Sequence, residues 1–351
     1  MNLDRVERIA EAVLYEGYML YPYRPSSVKN QQRWNFGVLC PRSYCDAQPG
    51  SETSSMQTEC LVKTTASTRL TVKIRFLQIV RRSVGKLRTP EQEKPDGVEP
   101  EFDPVDRLEV GGRVYLPWEE AVERDHTSVA LNPAALSSLT PLQLTFPAGK
   151  QFEYLRDEEE RPIGLLVREW EALTVSVQFD VVPCHDAVLK FTVRFHNLTP
   201  FDLLKTTARE DALAFSLVSA HTILGVEQGE FLSLLDPPVE FQDLATNCSN
   251  IGTWPVLVGD HADTILSSPI ILYDNPQIAP ESAGNLFDST EIDEILSLRI
   301  LTLTDDEKRE MRQSDERARE ILERTESMPE EQFMKLHGVL RGLAQHKEET
   351  P

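Results

Sequence analysis

The chain of 351 residues carries a formal net charge of -21, which argues against general nucleic-acid binding. Hydrophobic residues make up 40% and charged residues 26%, as in globular proteins of one large or two modest domains. The longest apolar runs fall far short of the ~20 residues that span a bilayer, and the N-terminus has no apolar signal core. We therefore expect a cytoplasmic protein without membrane insertion.

The charge is unevenly distributed along the chain. Residues 1–89 hold 14 Lys/Arg and 7 Asp/Glu, a balance of +7, so the remaining residues carry -28. A basic front on an acidic body can steer an acidic partner toward it. The simpler interpretation is that one strand and one loop are rich in Lys and Arg.

The first predicted element is a helix over residues 3–14. Val6, Ile9, Ala10 and Val13 recur at the spacing of one helical face, and charged residues occupy the other face. Gly17 is expected to end this helix.

An aromatic segment, residues 15–37, follows the helix and surrounds several basic residues with aromatic ones. Its first tyrosines continue the apolar stripe of the helix, which favours packing of the helix on a sheet. Packing does not explain its polar middle. We therefore predict that four side chains there contact an acidic protein partner: Arg24, Lys29, Asn30 and Arg33.

Three segments have the alternation of half-buried β-strands, with one face buried and the other solvated: residues 70–76, 173–180 and 189–195. The short connection between the second and third predicts antiparallel pairing. The expected fold is therefore mixed and mainly β, with an antiparallel β-sandwich-like body, an N-terminal helix and a helical C-terminal segment.

The predicted division of the chain places a β-rich body at 1–285 and an acidic helical segment at 286–351. Residues 83–106 contain four prolines and little apolar content, which indicates an exposed loop or linker. The sequence "VGGRV" at 110–114 is typical of a hairpin turn, whereas the remaining fold of 107–165 is not indicated. Capping boxes at 304–307 and 327–330 predict two C-terminal helix starts.

Catalytic and metal-binding motifs are weak. Cys40 and Cys45 are separated by four residues and Cys60 follows fifteen later, a spacing that fits no standard metal site, so these three are only a weak metal alternative. Cys184 and His185 are adjacent and would point to opposite faces of a strand. Pairing of Cys184 with His221 or His261 remains open. We expect no cofactor.

Nucleotide-binding loops and a nucleophile elbow are both missing from the sequence, so we favour a protein that is not an enzyme. The enzyme alternative is a site of unknown reaction built from the loops 15–37 and 248–288. Its pocket would be lined by four side chains from these loops: Tyr23, Trp254, Asp274 and Glu281.

Four stretches resemble a bacterial family of uncharacterised proteins encoded beside uptake nickel–iron hydrogenase genes. They are "AVLYEGYMLYPYRPSSVKNQQRWNFGVLCP", "EQGEFLSLLDPP", "GTWPVLVG" and "SSPIILYDNPQIAPESAGNLFDSTEIDEILSLRILTLTDDEK". The likeness covers the first 40 residues and most of 210–330 but not 83–165.

This resemblance implies a process, hydrogenase biogenesis or assembly, and transfers no catalytic residue. A nickel-handling factor would be expected to carry a His-rich tract, whereas the seven histidines here are scattered. The resemblance therefore favours a non-catalytic accessory, assembly or scaffold protein that binds a hydrogenase subunit or maturation factor. A metal-binding maturation factor is the alternative.

Overall fold

The computed structural model describes most of the chain, namely residues 3–24, 27–31, 33–50, 52–89, 98–136, 140–277 and 293–329. Its strands are β1 (Ser55–Leu87), β2 (Phe102–Val105), β3 (Leu108–Val110), β4 (Arg113–Tyr115), β5 (Trp118–Thr127), β6 (Leu142–Phe146), β7 (Gly149–Arg156), β8 (Pro162–Trp170), β9 (Leu173–His185), β10 (Val188–Asn197), β11 (Val218–Leu232), β12 (Trp254–Leu257) and β13 (Thr264–Ser268). Its helices are α1 (Leu3–Leu14), α2 (Val28–Gln31), α3 (Arg42–Ala47), α4 (Pro133–Leu136), α5 (Arg209–Leu213), α6 (Gln242–Thr246), α7 (Asp293–Leu301), α8 (Asp305–Ser314) and α9 (Glu316–Glu326).

The strands form an 11-stranded sheet with a main order of β12-β13-β11-β1-β10-β9-β6, while β3 and β4 form a separate hairpin. Every strand pair in the described ranges is antiparallel. The predicted fold class is confirmed: the protein is mainly β, with a helix at the N-terminus and helices toward the C-terminus.

The long strand β1 is the axis of the sheet. Its first part pairs with β10 and β11, and its later part pairs with β5, β8 and β2. Register shifts against β11 between Thr64 and Arg69 and between Arg75 and Leu77 interrupt its alternation. As a result, the buried apolar side chains of β1 point to one face of the sheet before the second shift and to the other face after it.

Before this shift, Ile74 and Phe76 enter an inner core, which also contains Phe191, Phe195 and Leu224 from the neighbouring strands. The rings of Phe76 and Phe146 meet edge to face at 5.1 Å between centroids. This cluster is the apolar interior that the alternating strand patterns predict.

After the shift, Leu77 and Ile79 enter an outer core on the opposite face. This cluster contains Tyr15 and Tyr18 from the aromatic segment and Met311 from α8. The N-terminal segment and the C-terminal helices therefore contribute side chains to the same apolar cluster.

The helix predicted at residues 3–14 is confirmed as α1, and Gly17 follows it at φ +71°. The strands and the antiparallel pair at 173–195 are confirmed as well. The solvated face predicted for 70–76 is wrong at Arg75, which is buried and pairs with Glu123 of the neighbouring strand β5 at 3.1 Å. Helix α1 packs on this face, where Glu7 contacts Lys73.

The loop or linker predicted at 83–106 is wrong at both of its ends. Residues up to Leu87 continue β1, and residues from Phe102 form β2, which pairs back on β1. Gly85 packs under the ring of Phe102, a contact that a side chain at position 85 would block. Residues 90–97 lie outside the described ranges.

The hairpin at 110–114 is confirmed, since Gly111 and Gly112 join β3 to β4 at φ +57° and +73°. The capping box at Thr304 and Glu307 is also confirmed and starts α8. Of the second box, Ser327 instead ends α9, and Glu330 lies outside the described residues.

Candidate functional site

Arg33, predicted at a partner-binding surface, is buried inside the protein. Its guanidinium donates to the carbonyls of Tyr18 at 3.0 Å and Glu119 at 2.6 Å. It also stacks between the indoles of Trp34 and Trp118, at 4.5 and 3.9 Å from the ring centroids. Burial lowers the pKa of this guanidinium. The prediction is wrong here because the aromatic segment and β5 supply the indole rings and the carbonyl acceptors that a buried arginine needs.

Asn30 is buried too, and it braces the loop in which it lies. Its amide oxygen accepts from the N–H of Leu20 at 2.8 Å, and its amide nitrogen donates to the carbonyls of Leu20 and Arg24. The side chain thus substitutes for backbone partners in the turn. Lys29, on the short helix α2, is exposed.

Arg24 meets an acidic partner within the same chain. Its guanidinium lies 3.0 Å from Glu307 and 3.6 Å from Glu310, both on α8. Two further contacts join the aromatic segment to the start of α9: Tyr18 donates to Asp315 at 3.0 Å, and Arg317 donates to the hydroxyl of Tyr15. The acidic helices toward the C-terminus therefore occupy the face that the sequence assigns to an external protein.

A polar cleft of about 270 Å³ lies where α8 and α9 meet the sheet. Its lining is rich in arginine and acid: Tyr18, Arg82, Arg113, Tyr115, Glu120, Glu153, Leu166, Arg168, Gln313, Asp315, Glu316, Arg317 and Arg319. Glu120 accepts from both Arg82 at 2.8 Å and Arg168 at 2.6 Å. These ion pairs join side chains of β1, β5 and β8.

The three cysteines of the metal alternative are not brought together: the Cys45 thiol lies 4.0 Å from the carbonyl of Cys40, but Cys60 lies apart from both. Cys40 lies in the outer core and Cys60 in the inner core, so they occupy opposite faces of the sheet. Burial raises the pKa of the Cys40 thiol to about 12 and that of Cys60 well above its ordinary value, which opposes the thiolate that a metal requires. The described ranges hold no cluster of three or more possible metal ligands.

The alternative pocket is also not assembled. Tyr23 is fully buried in the outer core, whereas Asp274 lies at the far edge of the sheet and accepts from Ser233 and from the N–H of Leu257. Trp254 is at this same edge, in β12. Glu281 lies outside the described residues. The two loops therefore contribute to different regions, because the outer core absorbs the first one.

The open pairing of Cys184 with a distant histidine finds no support at His221. That imidazole is fully buried in β11 and its Nδ1 lies 2.8 Å from the carbonyl of Ser219. Cys184 is at the hairpin end of β9 and donates to the carbonyl of Val182.

An edge surface, which we define as Leu235, Ile251, Trp254, Ile271 and Tyr273, exposes large apolar side chains. Their exposed fractions range from 43% for Trp254 to 87% for Tyr273. Hydrogen bonds bring these segments together. The bond from Ser233 to Asp274, 2.5 Å long, ties the loop of Leu235 to that of Tyr273.

Strand β12, which carries Trp254, is protected against pairing with another strand. Val258 donates to Thr264 of the neighbouring segment, so alternation turns the backbone of residues 257 and 255 outward. At 257 both outward groups are bonded, the N–H to Asp274 and the carbonyl to Asn275. At 255 proline has no N–H to offer.

The sequence around the edge surface is acidic. Between Arg209 and Arg299 there is no lysine or arginine, and 15 aspartates or glutamates occur there. This long gap was a signal available in the sequence. Alternation and motif searches missed the surface because most of its exposed side chains lie in loops.

No helix in the described ranges combines the length and apolar character needed to cross a membrane. Comparison with known proteins finds no match, either to a protein-family model or to a curated protein.

Proposed function

We propose that this chain is a non-catalytic accessory, assembly or scaffold protein that acts through protein–protein contacts in a nickel–iron hydrogenase system. The hydrogenase part of the proposal rests on the resemblance of the four sequence stretches. The observation that supports protein contact is the edge surface. The proposal includes a cytoplasmic location and no binding of nucleic acid.

Exposed apolar side chains in a group mark interaction sites more often than exposed single ones do. Tryptophan and tyrosine, here Trp254 and Tyr273, are also the residue types enriched where protein interfaces gain most of their energy. The bonds of Asp274 to Ser233 and Leu257 fix the loops that carry the group. Such a fixed surface binds with less loss of conformational entropy than a mobile one.

The two rival functions have weaker support. An enzyme built from loops 15–37 and 248–288 needs one shared cleft, whereas Tyr23 and Asp274 lie in different regions. A metal-binding maturation factor needs neighbouring thiolates, whereas Cys40 and Cys60 are buried on opposite faces of the sheet.

The test is affinity purification of the tagged full chain from cells that express the hydrogenase, with mass spectrometry of the recovered proteins. We expect a hydrogenase subunit or a maturation protein to be enriched over a tag-only control. Deletion of the gene is expected to lower hydrogen uptake. Recovery of neither class, together with unchanged uptake, would contradict the proposal.

A further inference from the structure

We infer that the edge surface docks a segment of a partner protein that carries lysine or arginine next to apolar side chains. This inference rests on the proposed function for the existence of a protein partner, and it adds the chemistry of that partner. It is carried by two independent observations, the exposed apolar group and the charge around it.

The apolar part of the surface requires apolar side chains on the partner. Trp254 and Tyr273 present large rings, and Ile251 and Ile271, which precede them closely in the chain, add exposed apolar area. Such side chains gain free energy when a partner removes them from water. An entirely polar or highly charged partner would leave this area hydrated.

The charged part of the surface requires a basic partner. Asp236, Glu240 and Asp243 are exposed in the segment that runs from Leu235 to Ile251. The Coulomb attraction of such a set for a cationic segment raises both affinity and association rate at low salt.

Basic residues do lie on the neighbouring strands, but they are already engaged. Lys63 pairs with Glu230 at 2.8 Å and Lys190 with Glu59 at 3.1 Å. Arg194 donates to Gln57. These basic side chains are therefore engaged within the chain, and the stretch 210–298 adds no lysine or arginine of its own.

Other occupants suit the surface less well. A second copy would bring the same acidic edge against itself, which like charges oppose. Residues 278–292 of the chain contain acids and no lysine or arginine, so their charge is not complementary either. An added β-strand would meet Pro255 and the bonded backbone of Leu257.

The test measures binding of labelled synthetic peptides to the full chain by fluorescence anisotropy. The probe is a peptide of alternating lysine and leucine pairs. One comparison peptide replaces leucine with serine and the other replaces lysine with glutamate. We expect the lysine–leucine peptide to bind at least about tenfold more tightly than either, and its affinity to fall as salt is raised. Equal binding of the lysine–leucine and lysine–serine peptides would overturn the inference.

Variants localise the binding. Trp254→Ser combined with Tyr273→Ser is expected to weaken the lysine–leucine peptide at least about tenfold. The control, Val129→Ser combined with Leu204→Ser, removes two apolar side chains elsewhere that are 80% and 98% exposed and should leave the affinity unchanged. An equal loss in both double variants would overturn the inference.

Charge reversal provides a second, independent comparison between a double variant and its control. Asp236→Lys with Glu240→Lys should weaken binding, whereas Glu101→Lys with Asp106→Lys changes net charge by the same amount and should have a smaller effect. Equal effects would mean that the peptide senses only the net charge, and would overturn the inference.

Sedimentation velocity tests the remaining occupant. A dimer that Trp254→Ser dissociates would assign the surface to a second copy and overturn the inference. The outcomes also separate this inference from the proposed function. Surface-dependent peptide binding without recovery of hydrogenase proteins would leave the inference standing alone. Recovery of those proteins by the Trp254→Ser, Tyr273→Ser variant would leave only the proposed function.

Discussion

The aromatic segment and the edge surface are both rich in aromatic residues, yet the protein treats them in opposite ways. The aromatic segment has basic charges, and the same chain neutralises two of them, Arg24 and Arg33, through Glu119, Glu307 and Glu310. The edge surface lies in an acidic stretch of the sequence that has no lysine or arginine between Arg209 and Arg299. A charged aromatic segment therefore indicates a partner without telling whether that partner is another protein or a distant part of the same chain.

Four measurements can break or sharpen this comparison, and the largest effect is expected inside the aromatic segment. Arg33→Ala removes a guanidinium stacked between Trp34 and Trp118 and leaves the carbonyls of Tyr18 and Glu119 without their donor. The free energy of unfolding should fall by about 3–5 kcal/mol in urea titrations. The control, Lys29→Ala, should change it by less than about 0.5 kcal/mol. Equal effects would show that Arg33 is not an internal residue.

The next effect tests whether the C-terminal helices belong to the fold. Met311 of α8 is fully buried in the outer core, so Met311→Ala leaves a gap there. We expect a loss of about 2–3 kcal/mol, because α8 can relax partly toward the gap. A single unfolding transition should persist. A variant as stable as the parent would contradict the packing of α8 on the aromatic segment.

The third measurement concerns pH. Burial, chiefly, lowers the pKa of His221 to about 4, below its value of about 6.5 in an unfolded chain. The unfolded state therefore binds a proton first as pH falls. Stability from this group is present above pH 6.5 and is lost toward pH 4, by up to about 1.4 kcal/mol per pH unit. Urea titrations at several pH values should show a flatter slope for His221→Gln. Identical slopes would contradict a buried neutral imidazole.

The smallest effect is expected at the edge surface. Tyr273 is 87% exposed, so Tyr273→Ser should change the free energy of unfolding by less than about 0.5 kcal/mol. Differential scanning calorimetry can detect a larger change. Marked destabilisation would mean that Tyr273 serves the fold and is not available to a partner.

Local sequence patterns predict the elements whose structure depends mainly on neighbouring residues. The amphipathic spacing from Val6 to Val13 predicts α1, and the two glycines at 111 and 112 predict the hairpin of β3 and β4. The low apolar content of 83–106 predicts a loop wrongly, because β1 continues through a region where β2 and β8 supply its partners. That pairing is a property of the sheet and not of the segment.

The candidate site was harder to predict because exposure depends on distant residues. Arg24 and Glu307 are far apart in sequence, and no spacing rule connects them. The sequence indicates Trp254 as a candidate but not Ile271 and Tyr273, since the bonds of Asp274 that bring these segments together cannot be read from the sequence. The absence of lysine and arginine from 210 to 298 was visible in the sequence and marks the same region.

The most direct test of the central claim, that the protein works through its edge surface and not its aromatic segment, is a side-by-side affinity purification from hydrogenase-expressing cells. One bait carries Trp254→Ser and Tyr273→Ser, and the other carries Arg24→Ala and Lys29→Ala. We predict that the first bait loses the hydrogenase proteins recovered with the parent chain and that the second retains them. Retention by the first bait and loss by the second would contradict the claim.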